Sequence, residues 1–210
     1  MIPIPTPPPL PPGGSTTAVT LYDFLEEKNV QSAVWRQGPP AEMALTWLGD
    51  MSSQTAEQKG YGYMRWLGGG FGNFNLEDGS VVGPLDSQSH GVMMRPKNQY
   101  YGYTSATYNM SGYTIGSKDY LLVRLGFLQG STKGSATFQI SFTPFSSATW
   151  TGPEIFKIYD GKIHDQKIWL GSPPSYIKGK PIESIQLRVT AGDSGDDDHA
   201  VWLRCQLIRE

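Results

Sequence analysis

An antiparallel β-sandwich of the all-β class is what this sequence predicts, and three observations predict it. Apolar residues recur with a period of two in several separate runs. Glycine (25) and proline (16) are frequent enough to punctuate many short strands. Only one segment tolerates a helical reading, and it is short. With 210 residues and 6 Trp, 11 Tyr and 8 Phe, such a fold can bury a self-sufficient core.

In chain order, residues 1–14, MIPIPTPPPLPPGG, hold seven prolines, which exclude helix and central strand because proline lacks an amide donor. Polyproline II at ~3.1 Å per residue gives a reach of about 40 Å up to the Gly13-Gly14 hinge. The expected organisation is an extended arm over 1–17 and a sandwich over 18–210. A stiff arm suits docking into another subunit's groove, with Pro7, Pro8, Pro9, Leu10 and Pro11 as the anchoring residues; a plain spacer is the alternative. Residues 21–30, LYDFLEEKNV, are the helical candidate. Between 36 and 76 the alternation loosens, and GYGYMRWLGGGFGNFNLEDG sets glycine beside large flat rings. That mixture fits a long binding loop or a crowded core corner.

The second half of the chain is more regular. Residues 120–128, YLLVRLGFL, read as a strand buried on both faces. In 136–143, Ala136, Phe138, Ile140 and Phe142 alternate with polar residues, as Ile185, Leu187 and Val189 do in 185–190. Over 154–170 two strand-like runs flank Asp160-Gly161, the signal of a hairpin. In the last run Val201, Leu203, Cys205 and Leu207 make one row, and Trp202, Arg204 and Gln206 the opposite one.

Composition excludes several function classes. Only 17% of residues are charged and the net charge is -2, so there is no electrostatic footprint for nucleic acid or an anionic membrane. A single Cys205 among apolar neighbours excludes an internal disulfide and reads as a buried, inert thiol. The N-terminus lacks the charged start and apolar run of a secretory signal, and no stretch approaches a membrane span. With Met1 in place, the expectation is a complete protein made inside the cell. The three histidines, His90, His164 and His199, lack zinc spacing, and no nucleophile elbow or phosphate loop occurs. A non-catalytic role is therefore expected, with no cofactor.

Near the C-terminus, RVTAGDSGDDDHAVW resembles the signature of the NPCBM family of carbohydrate-binding domains found beside glycoside hydrolases. The matching residues are Asp198, His199, Ala200 and Trp202. Upstream, GFGNFNLEDGSVVGPL, HGVMMRP, SATYNMSG, YLLVRLGF, ATFQISF and the Asp160-Gly161 turn fall in the family's order, over about 70–210. The resemblance implies a galactose-binding-like jelly-roll sandwich. This chain departs at Val201 and Arg204, where the family usually has Asp, and at Arg95, where it often has His. The scaffold is better kept than the polar surface.

Sugars present hydroxyl forks and a flat C–H face, so recognition needs planar bidentate groups beside an aromatic platform. Simple alternation puts Trp202 beside Arg204 and away from the apolar row, where it can stack on a sugar while Arg204 or His199 donates. The competing assignment has Trp202 covering a sheet edge and His199 holding its loop. Arg95 with the cluster Tyr100, Tyr101 and Tyr103 adds further ligand-binding candidates, Tyr101 foremost, against core or interface packing. Asp193, Asp196 and Asp198 could supply oxygens to a structural Ca²⁺, against an ordinary solvated turn.

Two functions fit these readings. One is a virion protein of a bacteriophage, such as tail, fibre or capsid decoration, oligomeric through its arm and contacting host glycans. The other is a carbohydrate-binding module of a glycoside hydrolase system.

Overall fold

Period-two alternation folds this chain into two facing antiparallel sheets. The computed structural model describes residues 17–38, 43–45, 63–67, 74–75, 81–82, 91–96, 102–127, 135–144, 150–151, 155–158, 164–171, 179, 181–192 and 199–210. In order these are β1 (Val19–Asp23), α1 (Glu27–Ser32), β2 (Val34–Gly38), β3 (Met43–Leu45), β4 (Tyr63–Leu67), β5 (Phe74–Asn75), β6 (Val81–Val82) and β7 (Gly91–Arg95). There follow β8 (Tyr103–Thr114), β9 (Asp119–Phe127), β10 (Ser135–Pro144), β11 (Trp150–Thr151), β12 (Ile155–Ile158), β13 (His164–Trp169), β14 (Pro181–Ala191) and β15 (Ala200–Arg209).

Sheet I runs β13-β9-β15-β7-β4, with β1 also paired to β15. Sheet II runs β11-β10-β14-β8-β2-β3, with β12 also paired to β10. A small β5-β6 ribbon completes the described strands. Between the sheets lie Leu121, Val123, Leu125 and Phe127 from β9, facing Phe138, Ile140 and Phe142 of β10 and Ile185, Leu187 and Val189 of β14. Each such buried side chain contributes roughly 1.5–3 kcal/mol of transfer free energy. The rows expected in 136–143 and 185–190 are therefore the core rows found.

Three local expectations are corrected. The segment 21–30 is not one helix: strand pairing to β15 holds the chain extended to Asp23. The Asp23 carboxylate then accepts from the Leu25 amide, and Asn29 donates to the Asp23 carbonyl, which postpones the helix to Glu27. The runs flanking Asp160-Gly161 form no hairpin with each other. β12 pairs with β10 in sheet II and β13 with β9 in sheet I, so the chain changes sheets between them; Asp160 and Gly161 themselves lie outside the described residues.

The third correction concerns β15. Its register against β9 slips between Trp202 and Arg204, an irregularity of the β-bulge kind. The core row therefore reads Ala200 and Trp202 before the slip, then Cys205 and Leu207 after it. Trp202 is fully buried, its ring edge-on to Phe138 at 5.3 Å between centroids. Val201 and Arg204 fall on the other side of the strand, where Arg204 is half-buried and Val201 is nonetheless fully buried.

Candidate functional site

The outer face of sheet II follows from its inner one. On β8 the core takes Ala106, Tyr108 and Met110, so Tyr103, Ser105, Thr107 and Asn109 point away. By the same alternation β10 presents Thr137, Gln139, Ser141 and Thr143, β14 presents Ser184, Gln186, Arg188 and Thr190, and β2 presents Val34, Arg36 and Gly38. Strand register lines these up in rows: Thr137, Thr190, Tyr103 and Gly38; then Gln139, Arg188, Ser105 and Arg36; then Ser141, Gln186, Thr107 and Val34. Guanidinium and amide groups thus stand side by side above a floor of hydroxyls. Ser105, Ser141 and Tyr103 are buried, and most of their neighbours half-buried, so this polar face is recessed.

Its internal order comes from a few contacts. Arg188 lies over the Tyr103 ring at 3.8 Å from the centroid, and its Nε donates to Thr190 Oγ1 at 3.1 Å, which fixes the guanidinium plane. Gln186 Nε2 donates to Thr107 Oγ1 at 3.2 Å across the strand pair. Gly38 sits opposite Tyr103, and a Cβ there would lie 2.7 Å from Tyr103 Cε1. The absent side chain gives the ring its place. The Ser105 hydroxyl, buried on this face, has no hydrogen-bond partner, a condition that costs about 1–3 kcal/mol until something satisfies it.

The outer face of sheet I is organised differently. Arg124 donates to both Asp165 oxygens, at 2.8 and 2.9 Å, and latches edge strand β13 to β9. That bond holds the Asp165 carboxyl below the usual carboxylate range, and the Arg204 charge adds to the effect. Lys167 Nζ contacts Glu210 at 2.7 Å and lies 3.8 and 4.1 Å from the ring centroids of Tyr120 and Trp169. Gln206 donates to Asp23 at 2.8 Å. At the end of the sandwich Asp119, fully buried, is held by Arg209, by the Gly116 amide at 2.6 Å and by the Tyr113 hydroxyl. Burial pushes the Asp119 carboxyl up, but these donors outweigh it and the net shift is downward.

The described candidates named from the sequence, Tyr103 apart, all belong to sheet I: Arg95 and His199 adjoin beyond the Met94–Ala200 pair of β7 and β15, and Trp202 and Arg204 follow along β15. Trp202 cannot be a platform, because the register slip turns its indole into the core. Its Nε1 has no hydrogen-bond partner there. Arg204 is half-buried on the outer face of sheet I, opposite Arg124. Arg95 ends β7 in the same sheet, and its carbonyl accepts from Thr104 Oγ1 at 2.7 Å. His199 is half-buried just before β15. Tyr101, the acidic residues Asp193, Asp196 and Asp198, and the arm residues Pro7, Pro8, Pro9, Leu10 and Pro11 lie outside the described residues. Tyr103, named with Tyr100 and Tyr101, is the described member of that cluster and lies on the sheet II face. Cys205 is buried, and burial followed by the Asp23 charge pushes its thiol up, away from the reactive thiolate.

Gln139, Gln186, Arg188, Ser105 and Arg36 escaped the sequence reading. Their signal was the polar half of the same alternation that marked the core, in strands too distant in sequence to be assembled by pattern alone.

No protein-family model and no curated protein matches the chain. Solved structures similar to it include CBM51 from Clostridium perfringens GH95 in complex with methyl-galactose, 19% identical, covering 70% of this chain and 89% of that one, with TM-score 0.40. CBM27-1 of Caldicellulosiruptor saccharolyticus in complex with mannohexaose is 10% identical and covers 93% and 98%, with TM-score 0.48. The family 11 carbohydrate-binding module of Clostridium thermocellum, in complex with a β-1,3-1,4-mixed-linked tetrasaccharide, is 12% identical and covers 90% and 94%, with TM-score 0.43. Overlays this loose transfer neither a ligand nor a residue to this chain.

Proposed function

We propose that the chain is a non-catalytic glycan-binding β-sandwich whose ligand lies across the outer face of sheet II. The observation that carries this reading is the set of cross-strand rows in which Arg188, Gln139, Gln186 and Tyr103 stand together over a buried, unpartnered Ser105 hydroxyl. Planar donors and acceptors match vicinal hydroxyls in pairs, and a rigid sheet holds them without an ordering cost at binding. Affinity electrophoresis against a polysaccharide panel tests it, with galactan, mannan and mixed-linked glucan as first neutral probes. Gln139→Ala and Gln186→Ala should each lower retention severalfold at unchanged melting temperature. Unaltered retention of both variants would move the site off this face.

A second reading is favoured by Trp169, the one aromatic among the exposed large hydrophobics of the described residues, at 49% exposure. It places a sugar on the sheet I edge instead. Lys167 already covers the paired rings there, so we rank it behind the recessed face. Trp169→Ala discriminates the two, since only the second reading expects it to abolish binding.

Residues 1–17 as an anchor in a larger assembly, such as a virion, are a separate part of the proposal. Deleting them should prevent incorporation into the assembly while the sandwich melts unchanged; normal incorporation would remove the anchoring role.

A further inference from the structure

Three of the four exposed large hydrophobics among the described residues lie at one end of sheet I: Val19 and Leu21 on β1, 55% and 39% exposed, and Trp169 on β13, 49% exposed. Register joins these two strands through a single row, Trp169, Tyr120, Ile208 and Thr20, which crosses β13, β9, β15 and β1. The neighbouring Leu121 and Leu207 face the core, so this row faces outward. Leu21 is the extra residue where the β1 register slips, beside Thr20. Tyr120 and Ile208 form the floor, both buried, and the Trp169 ring lies 5.2 Å from that of Tyr120 between centroids, tilted by 56°. Three strand spacings of ~4.8 Å make the row about 14 Å long.

A partner for such a row is apolar, extended and uncharged, and the chain carries one. Residues 1–17 hold no charged side chain, and Pro7, Pro8, Pro9, Leu10, Pro11 and Pro12 follow one another without a break. As polyproline II those six residues measure about 19 Å, enough to span the row. Proline-rich segments bind by laying their rings against Trp and Tyr, at little ordering cost because φ is already fixed. The arm leads into Val19 at the same end of the sheet. With a reach of about 40 Å and no hinge before Gly13-Gly14, it carries well past its own row. We infer that the row of Trp169, Tyr120, Ile208 and Thr20 is a docking surface for the proline-rich arm of a second copy of this chain. This rests on the anchoring role proposed for residues 1–17 and names what the arm holds. Lys167, seated over both rings and bound to Glu210, fixes their tilt and leaves Trp169 half-exposed.

Sedimentation velocity of the full chain over roughly a thousandfold range of concentration tests it. The expected result is self-association that an excess of a synthetic peptide of residues 1–14 reverses. Trp169→Ala breaks the seat, and Pro7→Ala combined with Pro8→Ala and Pro9→Ala breaks the arm. Each variant should weaken self-association by at least about tenfold at unchanged melting temperature. Mixed together, the two should regain a 1:1 complex, because one brings an intact arm and the other an intact seat. Self-association of Trp169→Ala as tight as that of the unaltered chain would place the interface elsewhere and overturn the docking surface. A chain that stays monomeric throughout, with no complex in the mixture, would overturn it as well; incorporation into an assembly still lost on deleting residues 1–17 would then leave the anchoring role standing with another partner. Loss of glycan retention in Trp169→Ala with self-association intact would give the row to a sugar instead.

Discussion

On the outer face of sheet I, Arg124 meets Asp165, Lys167 meets Glu210 and Gln206 meets Asp23; on that of sheet II, Arg36 and Arg188 share a row with Ser105 and Gln139. Both faces are built from β-strands with the same alternation, and both carry arginine and glutamine. What separates them is register. Where opposite charges fall on partnered positions of neighbouring strands, as Asp165 and Arg124 do, they are consumed in holding an edge strand to the sheet. Where the register sets arginine beside serine and glutamine, no opposite charge falls on the partnered strand position itself. Sheet I uses its outer side chains for cohesion, and under the proposed function those of sheet II meet the ligand.

That contrast breaks if variants of one face behave like those of the other. The largest effect is expected at the shared core: Trp202→Ala should cost about 3–5 kcal/mol in denaturant unfolding, because a fully buried ring packed on Phe138 leaves a cavity. Loss of ligand without loss of stability would return Trp202 to the role of platform. Next, Asp119→Ala should cost about 2–4 kcal/mol, since Tyr113, the Gly116 amide and half-exposed Arg209 lose a common acceptor.

The same carboxyl sets a pH dependence. Its pKa is lower folded than unfolded, so its stabilisation is complete above the ordinary carboxylate value near pH 4 and is lost as pH falls through that value to the folded one beneath it. Melting curves taken from about pH 6 down to about pH 2 should show a smaller decline in Asp119→Ala than in the unaltered chain.

A middling effect sharpens the contrast on sheet II. Gly38→Ala must displace the Tyr103 ring, at about 1–2 kcal/mol of stability, and should lower ligand affinity by roughly tenfold through the disturbed Arg188 stack. The smallest is expected at Arg124→Ala: an exposed ion pair is worth about 0.2–1 kcal/mol, and ligand affinity should not change. A binding loss there would mean that sheet I is the ligand face after all.

The fold was readable in the sequence wherever one strand face is apolar without interruption. Phe138, Ile140 and Phe142, and Ile185, Leu187 and Val189, marked their sides of the core because β10 and β14 run in regular register through those positions. β15 defeated the same logic: a slip at Leu203 exchanges the two faces, and no residue type announces it. The Asp160-Gly161 turn was misread for a related cause, since a local turn signal cannot say which sheet receives the next strand. The candidate site was hardest to see. Its rows join residues from β2, β8, β14 and β10, four strands well separated along the chain, and only pairing brings Arg36, Ser105, Arg188 and Gln139 into one line.

The slip at Leu203 also decides how the C-terminal strand can vary. The side chains that face the other sheet sit at even positions up to 202 and at odd positions from 205, so the inward row along one strand changes parity halfway. A single-residue deletion at 203 would heal the ladder and keep Cys205 and Leu207 inward, whereas a deletion at any point from 205 to 207 would throw every later side chain to the other side. The strand therefore has one place where its length is negotiable, and relatives that differ in length there can still share the same interior.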